Sequence, residues 1–140
     1  MAALRREFTK IFDKWFSMLT TDAFHVYLDE TFSPIITQGD FELPYHSMSG
    51  GERTAVALAY RLALNQIINS ILSKIKTQDL VILDEPTEGF SESQLDKVRD
   101  ILQELKIGQL IIVSHEPKIE SFVDHVIKLK KENGFSKVES

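Results

Sequence analysis

Apolar residues recur at three- and four-residue spacing in the first stretch of the chain, which predicts an amphipathic helix over Leu4–Leu19. The apolar positions are Leu4, Phe8, Ile11, Phe12, Trp15, Phe16 and Leu19. Short extended segments follow and predict strands at Phe24–Leu28, Phe32–Thr37 and Phe41–Tyr45, with Gly39-Asp40 as a turn between the last two.

The longest helix is predicted from about Gly50 to Lys76. Ser49 and Glu52 have the spacing of a capping box, in which two side chains satisfy free backbone N–H groups at a helix start. The first half of this helix is apolar on nearly every side, which indicates burial on several faces. The second half has polar residues on one side, which places that side in solvent.

Leu80–Leu83 is wholly apolar, which predicts a strand of a parallel sheet that is covered on both faces. A second capping box, Ser91 with Gln94, begins another helix, which Gly108 should end. The predicted buried stripe of that helix is Leu95, Val98, Ile101, Leu102 and Leu105.

The last third of the chain begins with another apolar strand, Leu110–Val113. Pro117 suits the first turn of a short helix that reaches about Val123. Asn133-Gly134 lies between Val126–Lys130 and Phe135–Val138, which predicts a hairpin with a type I′ turn. The alternation of strands and helices predicts an α/β fold with a partly parallel sheet.

Length and composition are those of an ordinary single domain. Of 140 residues, 43% are hydrophobic and 26% charged, so the chain can form one sizeable core. The net charge of −5 excludes a global basic field that would attract DNA or a membrane surface. Cysteine is absent, which excludes a disulfide or thiolate zinc site and suits a cytoplasmic protein. No apolar run spans a bilayer, and the start MAALRREFTK lacks the core of a secretion signal.

Asp84 and Glu85 directly follow the apolar strand, where a phosphate-hydrolysing enzyme needs one acid for magnesium and another for water. Because the backbone turns at a strand end, both carboxylates can approach one phosphate. We expect Asp84 to hold Mg²⁺ through its water shell and Glu85 to act as the general base. The alternative interpretation is an acidic turn after a strand.

Ser49-Gly50-Gly51 is a glycine-rich turn that begins a helix, where backbone N–H groups favour anions and the glycines allow close approach to a ligand. An ordinary capped turn has the same residues. No G-x-x-x-x-G-K-[ST] phosphate loop occurs, because none of the six glycines is followed by Lys. The chain therefore has only part of the motifs that a nucleotide-hydrolysing protein needs, and the phosphate loop would have to come from another lobe.

His115 follows Leu110–Val113, at the strand end where α/β proteins bind ligands, and can donate a hydrogen bond to a γ-phosphate. We interpret His25 and His125 as structural and place His46 close to the nucleotide.

Arg53 and Arg61 lie on the apolar half of the long helix, where buried cations need partners. They are either solvated, paired with acids, or a switch that re-pairs when nucleotide binds. Two basic patches could neutralise DNA phosphates or be solvated faces. They are Arg5, Arg6, Lys10 and Lys14 in the first helix, and Lys128, Lys130 and Lys131 near the end.

These motifs, in this order, resemble the C-terminal lobe of an ABC-type ATPase. Ser49–Glu52 is similar to the signature motif, Leu80–Glu85 to the Walker B strand, and Ser114-His115 to the switch-histidine loop. The chain most resembles the SMC-like ATPases of DNA double-strand-break repair, the Rad-fifty type, as found in archaea. Glu52-Arg53, where transporters have glutamines, and the tail Glu132–Val138 support this closer resemblance.

The resemblance implies a coiled-coil root over residues 1–20 and a C-terminal head lobe over residues 21–140. It implies Glu85 and His115 as catalytic residues, Asp84 as a magnesium ligand through water, and Arg53 and Arg61 as a switch. The residues implied in ATP binding are His46, Ser47, Met48, Ser49, Gly50, Gly51 and Glu52. Those of the D-loop are Glu88, Gly89, Phe90 and Ser91, where the family usually has Leu and Asp at the last two positions.

The implied partners are an N-terminal lobe with the phosphate loop, a second head that forms a homodimer around two ATP, a nuclease subunit and double-stranded DNA, with no membrane. A zinc hook would belong to a coiled coil outside this chain, and the location would be the cytoplasm at the nucleoid. The alternatives are another ABC-type half, RecF-like or from a transporter, and a scaffold lobe that binds nucleotide without hydrolysis. Glu85 argues against the scaffold.

Overall fold

A computed structural model describes residues 2–20, 24–71, 80–105 and 107–139 of the chain. The helices are α1 (Ala2–Leu19), α2 (Gly50–Ile71) and α3 (Glu92–Glu104), with 3₁₀ turns at Tyr45–Ser47 and Pro117–Phe122. The strands are β1 (Phe24–Leu28), β2 (Pro34–Gln38), β3 (Phe41–Leu43), β4 (Leu80–Asp84), β5 (Gln109–Val113), β6 (Leu129–Glu132) and β7 (Phe135–Val138).

The chain has the predicted α/β fold, and its parallel pairing is a small two-stranded sheet that is separate from two antiparallel ones in the described residues. Strands β1, β2 and β3 form an antiparallel meander, β4 and β5 pair in parallel, and β6 and β7 form a hairpin. At the hairpin turn Asn133 and Gly134 have φ values of 49° and 84°, which confirms the type I′ turn.

The core forms mainly where α1 packs along α2. Phe12 is fully buried, and its ring lies 5.5 Å from that of Tyr60 in an edge-on arrangement. Trp15 is also buried, and its indole Nε1–H donates to Gln66 Oε1 at 2.8 Å. The apolar stripe predicted for the first helix therefore faces the helix that begins at the glycine-rich turn.

Both predicted capping boxes are confirmed. Ser49 N–H donates to Glu52 Oε2 at 2.6 Å, and Glu52 N–H donates to Ser49 Oγ at 3.2 Å. Ser91 and Gln94 make the same reciprocal bonds at the start of α3. These bonds satisfy donors that a helix start leaves free, so the two helix starts are fixed by local sequence.

Several predicted boundaries are wrong. Phe32 has a left-handed φ of 64°, so strand β2 begins only at Pro34. Helix α3 ends at Glu104 rather than near Gly108, because Leu105 turns to an extended backbone. The predicted strand Val126–Lys130 begins instead at Leu129, since the two-residue turn pairs Glu132 with Phe135. Residues 72–79 lie outside the described residues, so the predicted helix end at Lys76 is untested.

The prediction that the apolar strand is covered on both faces is also wrong. Burial alternates along β4, with Val81 and Leu83 buried. The other face is exposed on both paired strands, at Leu80 (47%), Ile82 (61%), Ile111 (42%) and Val113 (52%). We call these four residues the open face. An exposed apolar sheet face of this kind is typical of an interaction surface.

Candidate active site

The ends of β4 and β5 bring two of the predicted catalytic residues into direct contact. Because the strands are parallel and Asp84 pairs with Val113, the residues that follow emerge at the same edge. His115 Nδ1 lies 2.9 Å from Glu85 Oε2. The imidazole is 79% exposed and the carboxylate 36% exposed, so both are open to a ligand.

The backbone at Glu85 is strained in a way that re-aims its side chain. Glu85 has a φ of 44°, a left-handed conformation that non-glycine residues seldom adopt. Its N–H still donates to Val113 O at 2.9 Å, so the residue stays anchored to β5. Such strain concentrates at functional sites. Here it takes Glu85 out of the strand pleat, in agreement with the predicted turn of the backbone after Asp84.

Each member of this pair shifts the pKa of the other. The hydrogen bond from His115 lowers the pKa of Glu85 below its ordinary value. The bond to Glu85 raises the pKa of His115, and Glu116 and Glu88 raise it further by their charge. The pair is therefore fully charged between the lowered pKa of Glu85 and the raised pKa of His115. The attraction between the two charges is lost as pH falls through the lowered pKa of Glu85 or rises through the raised pKa of His115.

Asp84 is exposed and shares the open face with Ile82 and Val113, since side chains alternate along a strand. Within the described ranges, no three His, Cys, Asp or Glu side chains lie close enough together to hold a metal ion. One exposed carboxylate suits Mg²⁺ that keeps most of its water and binds phosphate oxygens as well. The magnesium role of Asp84 stays a prediction.

The signature turn, Ser49–Gly51, is in contact with the D-loop, Glu88–Ser91. A Cβ atom on Gly51 would lie 2.7 Å from Gly89 O, closer than any normal contact. Gly51 is buried there, whereas a Cβ atom on Gly50 would meet nothing within 4 Å. Space is therefore open at Gly50, whereas a glycine at position 51 is required by the protein's own packing.

The other predicted ATP-binding residues differ in their exposure. His46 and Ser47 are exposed in the 3₁₀ turn before the signature turn, and Ser47 Oγ donates to Pro44 O at 2.7 Å. The side chain of Met48 is buried in the core, so only its backbone could reach a nucleotide. Glu52 already accepts the Ser49 N–H.

The D-loop has its own internal geometry. Gly89 has a φ of 76°, which favours glycine, and Phe90 N–H donates to Thr87 O at 3.0 Å. Ser91 caps α3, a role that Asp fills equally well, so the departure from the family pattern preserves the helix start and removes a charge. A cavity of about 140 Å³ lies between the two helix starts, lined by Ser49 and Ser91 among others.

Arg53 and Arg61 are exposed, so the predicted cost of burying these cations does not arise. Their role as a switch stays a prediction. His25 is exposed and lies 3.4 Å from Asp13, whose other oxygen accepts the Val26 N–H, which fits the structural role predicted for it.

Sequence reasoning missed Thr54 and assigned no separate role to Ser114. Thr54 Oγ donates to Glu88 O at 2.8 Å, and the Ser114 hydroxyl helps to lower the pKa of Glu85. The sequence feature that could have indicated Thr54 is its position, because it is a hydroxyl residue three positions after Gly51, on the same face of the helix.

No helix in the described ranges is long and apolar enough to cross a membrane.

Comparison with known proteins identifies relatives by sequence. No protein-family profile matches the chain. A protein of Pyrococcus abyssi named DNA double-strand break repair Rad50 ATPase is 42% identical over 100 residues, which are 70% of this chain and 11% of that protein. The Rad50 ATPase of Thermoplasma acidophilum is 34% identical over 143 residues, 99% of this chain and 14% of that protein. The chain thus spans only a small part of the length of these relatives.

A solved structure has the same fold. It comes from a study of ATP-driven dimerisation and DNA-stimulated activation of SMC ATPases, and it matches with a TM-score of 0.74 at 21% identity. The match covers 99% of this chain and 85% of that one. The SMC head domain from Thermotoga maritima matches with a TM-score of 0.66 at 22% identity, over 96% of this chain and 47% of that one, so the fold is that of part of such a head domain.

Proposed function

We propose that this chain, which is related to the archaeal Rad50 ATPases over most of its length, is the C-terminal lobe of an ATP-hydrolysing head that acts in DNA double-strand-break repair. The observation that supports this function most directly is the pairing of Glu85 with His115 at 2.9 Å, beside the carboxylate of Asp84. A magnesium-binding acid and a residue that positions the attacking water are parts that phosphoryl-transfer enzymes use. Here both acids follow one strand of a parallel pair, at the edge where His115 also lies.

The proposed roles follow from the chemistry of each group. Glu85 is a carboxylate and is ionised at neutral pH, so it can orient the attacking water and accept its proton. The hydrogen bond from His115 lowers the pKa of Glu85 and so favours this charged form. His115 holds that carboxylate and can donate its second N–H to the γ-phosphate. When bound through Asp84, Mg²⁺ would neutralise charge on the phosphates. Ser49 and Gly50, which are exposed, would bind ATP held by the opposite head of a dimer.

The open face supports an N-terminal lobe as the missing partner. This face combines four exposed apolar side chains with Asp84, so a unit that covers it would lie next to the acidic group. The chain has no phosphate loop of its own. A lobe that supplies this loop and an apolar surface would complete both the sheet and the nucleotide site.

A reconstitution experiment tests this assembly. We expect the chain alone to bind ATP weakly, and a mixture with an N-terminal lobe that has the phosphate loop to hydrolyse ATP slowly. Ile82→Glu should abolish association of the two lobes, because a carboxylate would be buried in an apolar contact. The matched variant Ile82→Val keeps the surface apolar and should associate normally. Calorimetry measures the binding of the two lobes, and phosphate release measures ATP hydrolysis. If the solitary chain hydrolysed ATP as fast as the mixture of the two lobes, the proposal would be contradicted.

ATP-driven dimerisation of two heads, control of a nuclease subunit and binding of double-stranded DNA are the finer parts of the proposal. For dimerisation, the support is that Ser49 and Gly50 of the signature turn are exposed and so are accessible to a second head. For the nuclease, the support is relatedness to the repair ATPases alone.

For DNA, the first helix is the better of the two basic patches. Arg5, Arg6 and Lys10 line a groove of about 450 Å³ between α1 and β1, and none of them is ion-paired within the described residues. In the C-terminal patch, by contrast, Lys128 lies 2.9 Å from Glu120 and Lys130 lies 2.9 Å from Glu132. Cations that are already neutralised contribute less to phosphate binding.

Charge reversal of each patch in turn, in the assembled head, distinguishes their contributions to DNA binding. Replacing Arg5, Arg6 and Lys10 by Glu should weaken binding to a DNA duplex. It should also reduce the salt dependence, log K against log salt, by about 0.9 for each lost phosphate contact. The same change at Lys128, Lys130 and Lys131 alters the net charge equally and should have a clearly smaller effect. Fluorescence anisotropy at several salt concentrations measures both. Equal effects of the two variants would indicate a response to net charge rather than a site.

A further inference from the structure

Thr54 connects the signature helix to the loop that follows the acidic strand. Its Oγ donates to the backbone carbonyl of Glu88 at 2.8 Å, across 34 residues of sequence. A threonine inside a helix commonly bonds to a carbonyl of the preceding turn of the same helix. Here the only bond that Thr54 Oγ makes among the described residues goes to a different segment. The hydrogen bond is therefore a tertiary contact, and helix formation alone does not create it.

Gly51, one helical turn earlier, also contacts the D-loop, by close packing rather than by a hydrogen bond. Residues three apart lie on one face of a helix, so Gly51 and Thr54 contact the D-loop side by side. Gly51 packs on the carbonyl of Gly89, and Thr54 binds the carbonyl of Glu88. Two consecutive peptide groups of the D-loop are thus held by the first turns of α2.

The D-loop leads back to the general base in a few bonds. Glu88 N–H donates to Glu85 O at 3.4 Å, and the side chain of Thr87 between them is buried. Glu85 in turn bonds to Val113 O through its N–H and to His115 through its carboxylate. A continuous set of contacts therefore joins the signature turn to the Glu85–His115 pair.

We propose that Thr54 is a positioning residue for ATP hydrolysis: it holds Glu88, and through it Glu85, in a fixed position relative to the signature turn. The inference rests on the proposed function, because it assigns Thr54 to the hydrolytic step of that ATPase. When ATP of the opposite head binds the signature turn, any movement of the first turns of α2 is passed to the D-loop through this link.

The test compares Thr54→Val with Thr54→Ser in the complete head, that is, this lobe together with its N-terminal lobe. Valine has the shape of threonine without the hydroxyl, whereas serine keeps the hydroxyl. We expect Thr54→Val to lower kcat for ATP about tenfold, the effect of losing one hydrogen bond, with KM for ATP unchanged. Thr54→Ser should restore kcat to within about twofold, since it can make the same bond.

Two controls separate positioning from general stability. Ser70 Oγ donates to Ile67 O within the same helix, so Ser70→Ala removes a hydroxyl from α2 and should leave kcat unchanged. Hydrogen exchange should show faster exchange of the Phe90 amide in Thr54→Val, with no change in the middle of α2. A thermal midpoint equal to that of Thr54→Ser would show that the loss of rate is not a loss of folding.

The outcomes are distinguishable. If the wild-type head does not hydrolyse ATP, the proposed function fails and this inference with it. If the wild type is active and Thr54→Val is equally active, the inference alone is overturned. The same holds if Thr54→Ser is as slow as Thr54→Val, because the hydroxyl would then not be the group that matters.

Discussion

Replacement of Glu85 by Gln in the assembled head should lower the rate of ATP hydrolysis by about two to four orders of magnitude. The ATP-bound dimer should accumulate, because binding uses the signature turn and the phosphate loop while hydrolysis needs the carboxylate. Glutamine preserves the size of the side chain and an oxygen that can accept from His115, so the change isolates the negative charge. Single-turnover phosphate release and size-exclusion chromatography with ATP measure the two effects. Undiminished turnover in Glu85→Gln would remove Glu85 from the role of general base.

The same substitution has an independent readout in this chain without ATP. The pKa of His115 is raised chiefly by its hydrogen bond to Glu85, and Gln removes the charge at that position. NMR titration should therefore show a lower His115 pKa in Glu85→Gln than in the wild type. Glu116→Gln is the matched control, because Glu116 acts only by its charge and is a lesser cause. A smaller decrease is expected there, and an equal decrease would contradict the described pairing.

Replacement of Gly51 by Ala should destabilise the fold by about 1–3 kcal/mol, the usual cost of overpacking. The added methyl group would lie 2.7 Å from Gly89 O and 3.0 Å from Gln94 Oε1, so backbone atoms of the D-loop must move. For a chain of this size the thermal midpoint should fall by about 3–10 °C. Circular dichroism measures it.

Gly50→Ala is the matched control, one residue away in the same turn. A methyl group at Gly50 meets nothing within 4 Å, and alanine is the better helix former. We therefore expect Gly50→Ala to be neutral or stabilising by up to about 1 kcal/mol. If the two variants had the same stability, the close contact of Gly51 with the D-loop would be disproved. Loss of ATP binding by Gly50→Ala at normal stability would support its place in the nucleotide site.

Features determined by neighbouring residues could be predicted from the sequence. The capping boxes of Ser49 and Ser91 and the turn at Asn133-Gly134 each depend on a few consecutive residues, and all three are confirmed. The sequence also placed Glu85 and His115 each at the end of an apolar strand, and the parallel pairing of these strands puts both residues at one edge. Their direct contact did not follow, because it depends on the left-handed turn at Glu85.

Features determined by distant residues could not be predicted. The contact between Thr54 and Glu88 joins residues 34 positions apart, and no pattern within either segment indicates the other. The exposure of Ile82 was predicted wrongly for a different reason. Apolar residues in a strand predict that the strand is buried, but they do not say whether its own chain or another one covers each face. In the proposed assembly a second lobe would cover Ile82.

The packing of α1 on α2 has a mechanical consequence. Because Phe12 and Trp15 are buried against α2, the two helices share one interior and should tilt together. A helix rises about 1.5 Å per residue, so a rod that continued α1 for about 100 residues would be about 150 Å long. A tilt of about 5° at the base would then displace its tip by about 13 Å. A small change of helix orientation at the nucleotide site would in this way become a large displacement at the far end of the rod.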